Sequence, residues 1–407
     1  PLRTQPMNSS TVAKDSPDTY PLMPTYGQPP VQFVRGSGTE LYDREGNRYL
    51  DFLCGLAVTS LGHAHPAIAE ALAEQARTLL HVSNLYETVP GLEVAETIDR
   101  LQGGGGQVFF CNSGAESLEG AIKLARRNGG HGKHVVVSAL RSFHGRTLAT
   151  LHATGQTEKH ETFQPLPEGF RHVAYNDFDA LEGAIDPSCA AVLLEVVQGE
   201  GGVNVADGEY LRKVRQLCDE RQMLLMFDEV QTGFARTGEW FAWQHHFDSA
   251  SDVRPDVVTM AKALGNGVPI GAIWAKKEIA QAFQPGDHAT TYGGQPLATS
   301  AARAVLRVME SINAPALAAA AGEELMGKLL DVPNVIDTRG LGLLIAAEID
   351  TDAVGKTGPE IALACLEEGL VVNGISPTAI RLAPPLTVSS EEIDEAMAKL
   401  SVVLGGD

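Results

Sequence analysis

Two segments, each at the end of an apolar run, carry side chains that could bind parts of one ligand. Ser113, Gly114 and Ala115 lie between the run VFFC and a helical pattern. A helix N-terminus offers free N–H groups and a partial positive charge, so this segment could bind a phosphate. Asp228 ends the run MLLMFD, at the carboxyl end of a predicted strand, where open α/β sheets place ligands. Taken singly, each segment is more often a helix cap or a turn.

Lys262 is the third residue of this kind. It follows the apolar run DVVTMA and precedes a loop that contains two glycines. Lysine is rarely buried without a role, and partial burial or a nearby cation lowers the pKa of its amine and makes it nucleophilic. The alternative is a surface lysine whose aliphatic side-chain carbons pack on apolar residues while its ammonium group stays in water. Together the three segments match the needs of pyridoxal 5′-phosphate, which are phosphate donors, an acid partner for the ring nitrogen and an amine for the aldehyde.

The elements that must position these residues can be read from the apolar runs. From about residue 65 onward, helical patterns alternate with short runs rich in β-branched residues, among them AAVLLEVV (190–197). This alternation predicts an α/β fold with a mostly parallel sheet and helices on both faces. Residues 31–54 predict a small antiparallel sheet, and the last hundred residues predict a separate α+β unit.

The length of the chain, 407 residues, is enough for about two domains. We predict an N-terminal arm with a segment of the small domain at 1–60, a large cofactor-binding domain at 61–309 and a C-terminal small domain at 310–407.

Composition excludes several classes of partner. The chain has 31 Lys and Arg against 51 Asp and Glu, a net charge of −20, which repels nucleic acid and anionic membrane surfaces. No apolar run approaches the roughly 18 residues needed to span a bilayer. The polar, proline-rich first 30 residues lack the apolar stretch of a secretory signal. Five widely spaced cysteines without a CxxC pair predict reduced, mostly buried thiols, so we expect a cytoplasmic protein.

Two further patterns are predicted to be structural. The four consecutive glycines at 103–106 precede a strand and lack a following GK[ST], which favours a loop over a phosphate site. His63 and His65, like the adjacent His245 and His246, have no acidic or cysteine partner at ligand spacing, so we expect no metal site.

The order of the motifs carries a resemblance to a known family. The segments concerned are LDFLCGLAVTSLGHAHP (50–66), SNLYETVPG (83–91), VFFCNSGAESLEGAIKLAR (108–126), FHGRT (143–147), QGEGG (198–202), FDEVQTGFARTG (227–238), AKALGNGVPIGA (261–272), TTYGGQPLA (290–298) and IRLAPPL (380–386). With these segments the chain resembles the class III (ω-) aminotransferases of fold type I, and among them it is most similar to members that act on N2-acetylornithine. The resemblance implies a seven-stranded, mostly parallel sheet and a smaller α+β domain built from both ends of the chain.

The resemblance also implies cofactor contacts, residue by residue. Lys262 would form a Schiff base with pyridoxal 5′-phosphate and transfer the proton, and Asp228 would keep the ring nitrogen protonated. The other implied contacts are the phosphate donors Ser113, Gly114 and Ala115, Phe143 and Val230 on the two ring faces, Gln231 at the ring hydroxyl, and Thr291, which would reach the phosphate of the partner subunit in a homodimer.

Substrate contacts are implied in the same way. Arg146 would bind the carboxylate of acetylornithine or the distal carboxylate of 2-oxoglutarate, and Arg381 the α-carboxylate of the oxo acid, because guanidinium groups bind carboxylates bidentately. Glu200 would pair with Arg381 while the amine donor is bound. The implied reaction transfers the terminal amine of N2-acetylornithine to 2-oxoglutarate, giving N-acetylglutamate 5-semialdehyde and glutamate, a step of arginine biosynthesis.

Three alternatives stay open at this point. A related aminotransferase could act on ornithine, succinylornithine, 4-aminobutyrate or a diamine. The same cofactor could serve an aminomutase or a decarboxylase, or the fold could be that of a non-catalytic binding protein. The chain departs from the family pattern at Val196, Asn266 and Gln295, where Pro, Gly and Asn are usual, and we expect these departures to bear on substrate preference.

Overall fold

A computed structural model of the chain describes residues 21–246 and 253–405, so the first twenty residues of the predicted N-terminal arm lie outside the described part. The strands, in chain order, are β1 (Phe33–Ser37), β2 (Glu40–Asp43), β3 (Arg48–Asp51), β4 (Gly106–Cys111), β5 (Val135–Ala139), β6 (Phe170–Val173), β7 (Cys189–Leu194), β8 (Val197–Gln198), β9 (Asn204–Val205), β10 (Leu224–Asp228), β11 (Val257–Met260), β12 (Gly271–Lys276), β13 (Val335–Leu341), β14 (Leu344–Ile349), β15 (Leu370–Val371), β16 (Asn373–Gly374) and β17 (Ala379–Leu382).

The helices alternate with these strands through most of the chain. They are α1 (Cys54–Ala57), α2 (Pro66–Thr78), α3 (Val89–Leu101), α4 (Gly114–Gly129), α5 (Leu148–Ala153), α6 (Phe178–Ala184), α7 (Gly208–Arg221), α8 (Lys277–Ala280), α9 (Pro296–Ser311), α10 (Ala314–Leu330), α11 (Thr351–Val354), α12 (Gly358–Glu367) and α13 (Ser390–Gly405). Short 3₁₀ turns lie at Thr157–Lys159, Glu161–Phe163, Ala242–His246 and Lys262–Leu264.

A seven-stranded sheet in the order β4-β12-β11-β10-β7-β5-β6 forms the centre of the molecule. Within it β12 runs antiparallel to both neighbours, β11 and β4, and the other pairs are parallel. The predicted fold class, an α/β fold with a mostly parallel seven-stranded sheet, is therefore confirmed. Four of the five inner strands, β5, β7, β10 and β11, are buried along their whole length, which explains why they read as continuous apolar runs.

Two details of the sheet differ from the sequence-based prediction. The run at 190–197, predicted as one strand, divides into β7 and β8. At the break, the Glu195 carbonyl accepts a hydrogen bond from the Tyr175 hydroxyl at 2.7 Å. The Val196 carbonyl accepts from the same hydroxyl at 3.1 Å and from the Ala206 N–H at 2.9 Å. The edge strand β6 was not predicted, since its sequence FRHV is polar at two of four positions and half-exposed at three.

Both ends of the described chain contribute to the smaller sheets. The short strand β15 pairs in parallel with β3, which completes the four-stranded sheet β1-β2-β3-β15. A second four-stranded sheet, β13-β14-β17-β16, lies entirely in the C-terminal part. This is the smaller α+β part expected from both chain ends, whereas the division into domains at residues 60 and 309 stays a prediction.

Several composition-based expectations can be compared with the described residues. All five cysteines are buried and none forms a disulfide, as predicted. Gly103, Gly104 and Gly105 lie in the turn between α3 and β4, and Gly106 begins β4, so the loop prediction is confirmed for the first three glycines. No helix in the described part is both long and apolar enough to cross a membrane. In the same part, no group of three or more His, Cys, Asp or Glu side chains is arranged to hold a metal ion.

Candidate active site

A cavity of about 270 Å³ opens at the edge of the large sheet where β4, β10 and β11 end. These three strands run parallel, so their carboxyl ends and the segments that follow them meet at one edge. The residues that line the cavity are Gly114, Ala115, Leu118, Phe143, His144, Gly145, Arg146, Glu195, Val197, Glu200, Asp228, Val230, Gln231, Thr232 and Lys262. The fold therefore brings together most of the residues that the sequence singled out.

Lys262 begins the 3₁₀ turn that follows β11, and its side chain faces the cavity. Its φ of +41° lies in the left-handed region, a backbone strain of about 1–3 kcal/mol that is commonly found at functional sites. Burial lowers the pKa of the Lys262 amine to about 8; Glu200 opposes this shift, and the Arg381 guanidinium adds to it. The unprotonated, nucleophilic fraction of the amine near neutral pH is therefore larger than that of an ordinary lysine, although most of the amine is still protonated at pH 7.

Asp228 is the last residue of β10, and its carboxylate is held on both oxygens. His144 Nδ1 donates to Oδ2 at 2.8 Å, and the backbone N–H of Val230 donates to Oδ1 at 3.0 Å. Because an ionised carboxylate only accepts, this contact assigns the proton of His144 to Nδ1. His144 is 2% exposed, and its Nε2 has no partner among the described residues. Sequence reasoning missed His144, although it directly follows Phe143 in the quoted segment FHGRT.

Glu195 is a second buried acid that the sequence analysis did not assign to the site. It lines the cavity, and its Oε2 accepts a hydrogen bond from the Phe143 backbone N–H at 3.1 Å. Burial raises the pKa of Glu195 well above its ordinary value, and the negative charge of Asp228 raises it further. The raised pKa favours the protonated form of Glu195, whereas the Asp228 carboxyl group has two hydrogen-bond donors, the His144 ring and the Val230 N–H.

The start of α4 forms the floor of the cavity beside Val230. Ser113 is the N-cap of this helix, and its hydroxyl accepts from the Glu116 N–H at 3.2 Å. The next N–H groups, those of Gly114 and Ala115, have no acceptor within the helix because they lie in its first turn. A Cβ at Gly114 would come within 2.8 Å of the Val230 side chain, so only glycine allows this close approach.

Arg146 and Arg381, the two predicted substrate residues, lie in different surroundings. The Arg146 side chain is exposed at the cavity, with its guanidinium carbon 5.5 Å from the centre of the Phe143 ring. Among residues 21–246 and 253–405, no carboxylate lies within ion-pair distance of Arg146. Arg381 on β17 is fully buried and donates to Glu200 Oε1 at 2.8 Å and to Asn373 Oδ1 at 2.8 Å. One guanidinium is thus open and the other is covered.

Glu200 and Gln231 complete the group around Arg381. Glu200 lies in the turn between β8 and β9, and Gln231 follows the end of β10. Gln231 Oε1 accepts from Arg381 at 3.3 Å, and its Nε2 donates to Glu200 Oε1 at 3.5 Å. Burial alone raises the pKa of Glu200, but Arg381 and Lys262 outweigh it, so the pKa is lowered and the carboxylate is ionised. The predicted pair of Glu200 and Arg381 is present; its exchange during the reaction stays a prediction.

Thr291 is the one predicted site residue that lies away from this cavity. It is exposed beside Ser83, Asn84 and Tyr86 in a separate surface depression. This position leaves open the expectation that Thr291 completes the cavity of a second subunit, which stays a prediction.

The residues present fit pyridoxal 5′-phosphate. The cavity combines an amine with a lowered pKa, a charged acid fixed by two donors and a helix N-terminus whose glycine permits close approach. Lys262 would hold the aldehyde end, Asp228 the ring nitrogen, and Gly114 and Ala115 the phosphate. Phe143 and Val230 would exclude water from the ring.

Comparisons with known proteins agree with this arrangement. The model of the family described as aminotransferase class-III matches residues 23–404. The chain is 46% identical to an acetylornithine aminotransferase of Caldanaerobacter subterraneus subsp. tengcongensis over 393 residues, which cover 94% of this chain and 97% of that protein.

Solved structures show the same similarity in three dimensions. The N-acetylornithine aminotransferase of Stenotrophomonas maltophilia K279a superposes with a TM-score of 0.80 at 34% identity, covering 93% of this chain and 97% of the other. The ornithine aminotransferase of Toxoplasma gondii, in which pyridoxal phosphate partially occupies the active site, superposes with a TM-score of 0.86 at 31% identity, covering 93% and 91%.

Proposed function

We propose, from the premise that the chain belongs to the class-III aminotransferases, that it transfers the terminal amine of N2-acetylornithine to 2-oxoglutarate. Enzymes of this class depend on pyridoxal 5′-phosphate and take an amine donor and an oxo acid in turn. The products are N-acetylglutamate 5-semialdehyde and glutamate, which places the reaction in arginine biosynthesis.

One observation supports this donor class above all. Arg146 is open to the cavity, while Arg381 is covered by Glu200. With one guanidinium available, the site fits a donor whose reacting amine has no carboxylate on its own carbon and whose single carboxylate lies at the far end. A dicarboxylic oxo acid needs both guanidinium groups, and Glu200 would have to release Arg381 to admit it.

The side chains of the cavity divide the work of the reaction. When bound, pyridoxal 5′-phosphate supplies a carbonyl that takes up the donor nitrogen and a protonated ring that accepts electrons. Lys262 would remove a proton from the donor carbon and return it, as general base and then general acid. Asp228, oriented by His144, keeps the ring nitrogen protonated, and Arg146 orients the donor through its carboxylate.

Half-reaction kinetics test this proposal. The purified, cofactor-loaded enzyme is mixed with N2-acetylornithine, succinylornithine, ornithine, 4-aminobutyrate or a diamine, and the absorbance of the cofactor is followed. We expect the highest kcat/KM with N2-acetylornithine and a strict need for an oxo acid to complete the cycle. A higher kcat/KM with one of the other donors would assign the chain to a related aminotransferase, and turnover without an oxo acid would assign it to a mutase or decarboxylase.

Arg146→Ala tests whether one guanidinium group binds both the amine donor and the oxo acid. We expect the KM for the acetylated donor and for 2-oxoglutarate to rise together, by about 10–150-fold, because a charge-assisted contact contributes roughly 1.5–3 kcal/mol. Arg307→Ala, an exposed arginine far from the cavity, is the matched control. A loss confined to one half-reaction would contradict the dual role.

The complete assembly that we propose is a homodimer with shared active sites. Large apolar side chains next to Thr291 are exposed in the single chain: Leu85 is 85%, Tyr86 71% and Tyr292 60% exposed. A second copy that covers them would bring Thr291 to the partner's phosphate site. The five buried, unpaired thiols favour a reducing compartment, and we propose the cytoplasm.

Leu85→Glu tests the dimer. A buried charge at the interface should give monomers in analytical ultracentrifugation and weaken cofactor binding, whereas Val402→Glu, at a similarly exposed apolar position on α13, should do neither. A wild-type monomer with full activity would refute the shared site.

A further inference from the structure

Lys159 is a second cation near Arg146 that the reaction described above does not use. It ends the 3₁₀ turn Thr157–Lys159 and is half-buried. Its ammonium donates a hydrogen bond to Gln156 Oε1, and Gln156 Nε2 donates to the carbonyl of Ser142 at 3.0 Å. Ser142 directly precedes Phe143 in the wall of the cavity. A chain of hydrogen bonds therefore holds the Lys159 ammonium beside the segment that carries Phe143 and Arg146.

Two residues of the cavity are among the charged groups that act on Lys159. Burial and the positive charge of Arg146 lower the pKa of Lys159, while Glu158 and Glu200 oppose the shift. Arg146 and Glu200 both line the cavity. Within the described residues, neither Lys159 nor Arg146 has a carboxylate within ion-pair distance. The Arg146 end of the cavity therefore has two positive charges at or near it, those of Arg146 and Lys159, with which no carboxylate of the described residues forms an ion pair.

A donor carboxylate bound at Arg146 brings its own α-nitrogen to this end, because both groups are attached to one carbon. In a free diamino acid that nitrogen is an ammonium group, and the two cations repel it. In an N-acylated diamino acid it is an uncharged amide, whose carbonyl oxygen can accept a hydrogen bond from an ammonium group. Like charges at a partly desolvated contact are a common source of selectivity against a competing ligand.

We propose that Lys159 is a specificity-determining residue, which with Arg146 selects N-acylated diamino acids over free diamino acids by repelling the α-ammonium group. The inference rests on the proposed function and deepens it, since it assigns the preference for the acylated donor to one side chain. Lys159 does not touch the reacting atoms, and its effect is expected in the choice of donor.

The test compares kcat/KM for N2-acetylornithine and ornithine in the cofactor-loaded wild type and in Lys159→Gln, Lys159→Glu and Lys159→Arg. We expect the ratio of the two values to fall about tenfold in Lys159→Gln, which corresponds to roughly 1.4 kcal/mol, and further in Lys159→Glu. Lys159→Arg keeps the charge and should keep the ratio. Lys213→Gln is the matched control, because it removes one exposed positive charge on α7, far from the cavity.

Each outcome decides between the two proposals. A wild type that prefers ornithine overturns both the proposed function and the role of Lys159. A wild type that prefers the acylated donor, with the same ratio in Lys159→Gln, leaves the function intact and overturns the role of Lys159. Equal losses with both donors would show that Lys159 only helps to bind the carboxylate, which also overturns it. Cofactor absorbance and Tm establish that each variant is folded, and Lys159→Met, which keeps the aliphatic stem, replaces Lys159→Gln where that variant is not.

Discussion

Lys262 has three acidic side chains within electrostatic range, yet the pKa of its amine is lowered. Each acid is compensated in a different way: Glu195 keeps its proton, Glu200 is paired with Arg381, and Asp228 is hydrogen-bonded to His144. The desolvation of the ammonium then outweighs the remaining attraction. The pKa of Lys262 therefore depends on the groups that pair with the nearby acids, and not only on the direct contacts of the lysine.

The lowered pKa predicts how the cofactor-free enzyme reloads. Below pH 8 most of the Lys262 amine is protonated and cannot attack an aldehyde, and above it most is neutral. The rate of recombination with pyridoxal 5′-phosphate should therefore rise with pH with a midpoint near 8, well below the value of about 10.4 for an ordinary lysine, and level off above it. Glu200→Gln should move the midpoint lower, because Glu200 raises the pKa of Lys262. A wild-type midpoint near 10 would contradict the assigned environment.

Replacement of Lys262 separates catalysis from folding. Lys262→Ala should lower kcat by about 10²–10⁴-fold or more, the usual contribution of a positioned acid–base group. A lysine whose pKa is lower in the folded than in the unfolded state disfavours folding while it is protonated, so at pH 7 the cofactor-free variant should be at least as stable as the wild type. Kinetics and urea unfolding measure the two effects, with Lys277→Ala as an exposed control. Turnover close to that of the wild type would refute the assignment.

At the scale of elements, the site is built where strands end and a helix begins. Strands β4, β10 and β11 deliver the start of α4, Asp228 and Lys262 to one edge of the sheet. Ser113 is the N-cap of α4, so the alternative that this segment caps a helix is confirmed. Its proposed contact with a phosphate is compatible with this, because the cap leaves the N–H groups of Gly114 and Ala115 free.

Two substitutions of Ser113 distinguish capping from phosphate binding. Ser113→Ala should lower the free energy of unfolding by about 0.5–2 kcal/mol, the usual effect of losing an N-cap. Ser113→Asp keeps the cap but places a negative charge at the phosphate site, so we expect near wild-type stability of the cofactor-free protein and a strong loss of cofactor affinity. Urea unfolding and cofactor titration measure the two quantities. Normal cofactor affinity in Ser113→Asp would remove this helix N-terminus from the site.

The loop after Lys262 shows how a departure from the family pattern is accommodated. Asn266, where glycine is usual, has a φ of +46°, a conformation that asparagine tolerates better than most residues. Its side chain accepts from the Leu61 N–H at 2.7 Å and donates to the Gly62 carbonyl at 3.1 Å. Asn266 does not line the cavity, and its two hydrogen bonds attach the loop after Lys262 to the segment of Leu61 and Gly62. Its expected effect on substrate preference stays a prediction.

At the scale of the whole molecule, Arg236 joins distant parts of the chain. It is fully buried and donates to Ser60 Oγ at 2.9 Å and to the carbonyls of Leu343 and Pro384 at 3.1 and 2.5 Å. Burial lowers the pKa of its guanidinium to about 10, and no carboxylate among the described residues forms an ion pair with it. The charge is instead solvated by carbonyl groups of the C-terminal part.

Arg236→Met should weaken the attachment of the C-terminal part to the large sheet. The carbonyls of Leu343 and Pro384 would lose their donors at a cost of about 1–3 kcal/mol each, less the desolvation of the charge that is removed. We expect a lower free energy of unfolding and faster hydrogen exchange in β17, while the exposed Arg307→Met changes neither. A variant as stable as the wild type would show that the cost of desolvating the Arg236 charge equals the stabilisation from its hydrogen bonds.

The sequence by itself determined the fold class, most of the buried strands and the positions of Lys262 and Asp228 at strand ends, because these depend on local periodicity and on residue type. The chemical roles of the two residues stay predictions. Only the tertiary structure decided which groups meet across long stretches of chain. His144 lies 84 residues from Asp228, and Glu200 lies 181 residues from Arg381. In the sequence, Glu195 is only one polar residue within an apolar run. In the structure it is buried in the same cavity as Asp228. Burial and contact between remote segments set pKa values and charge pairs, and a linear pattern does not encode those distances.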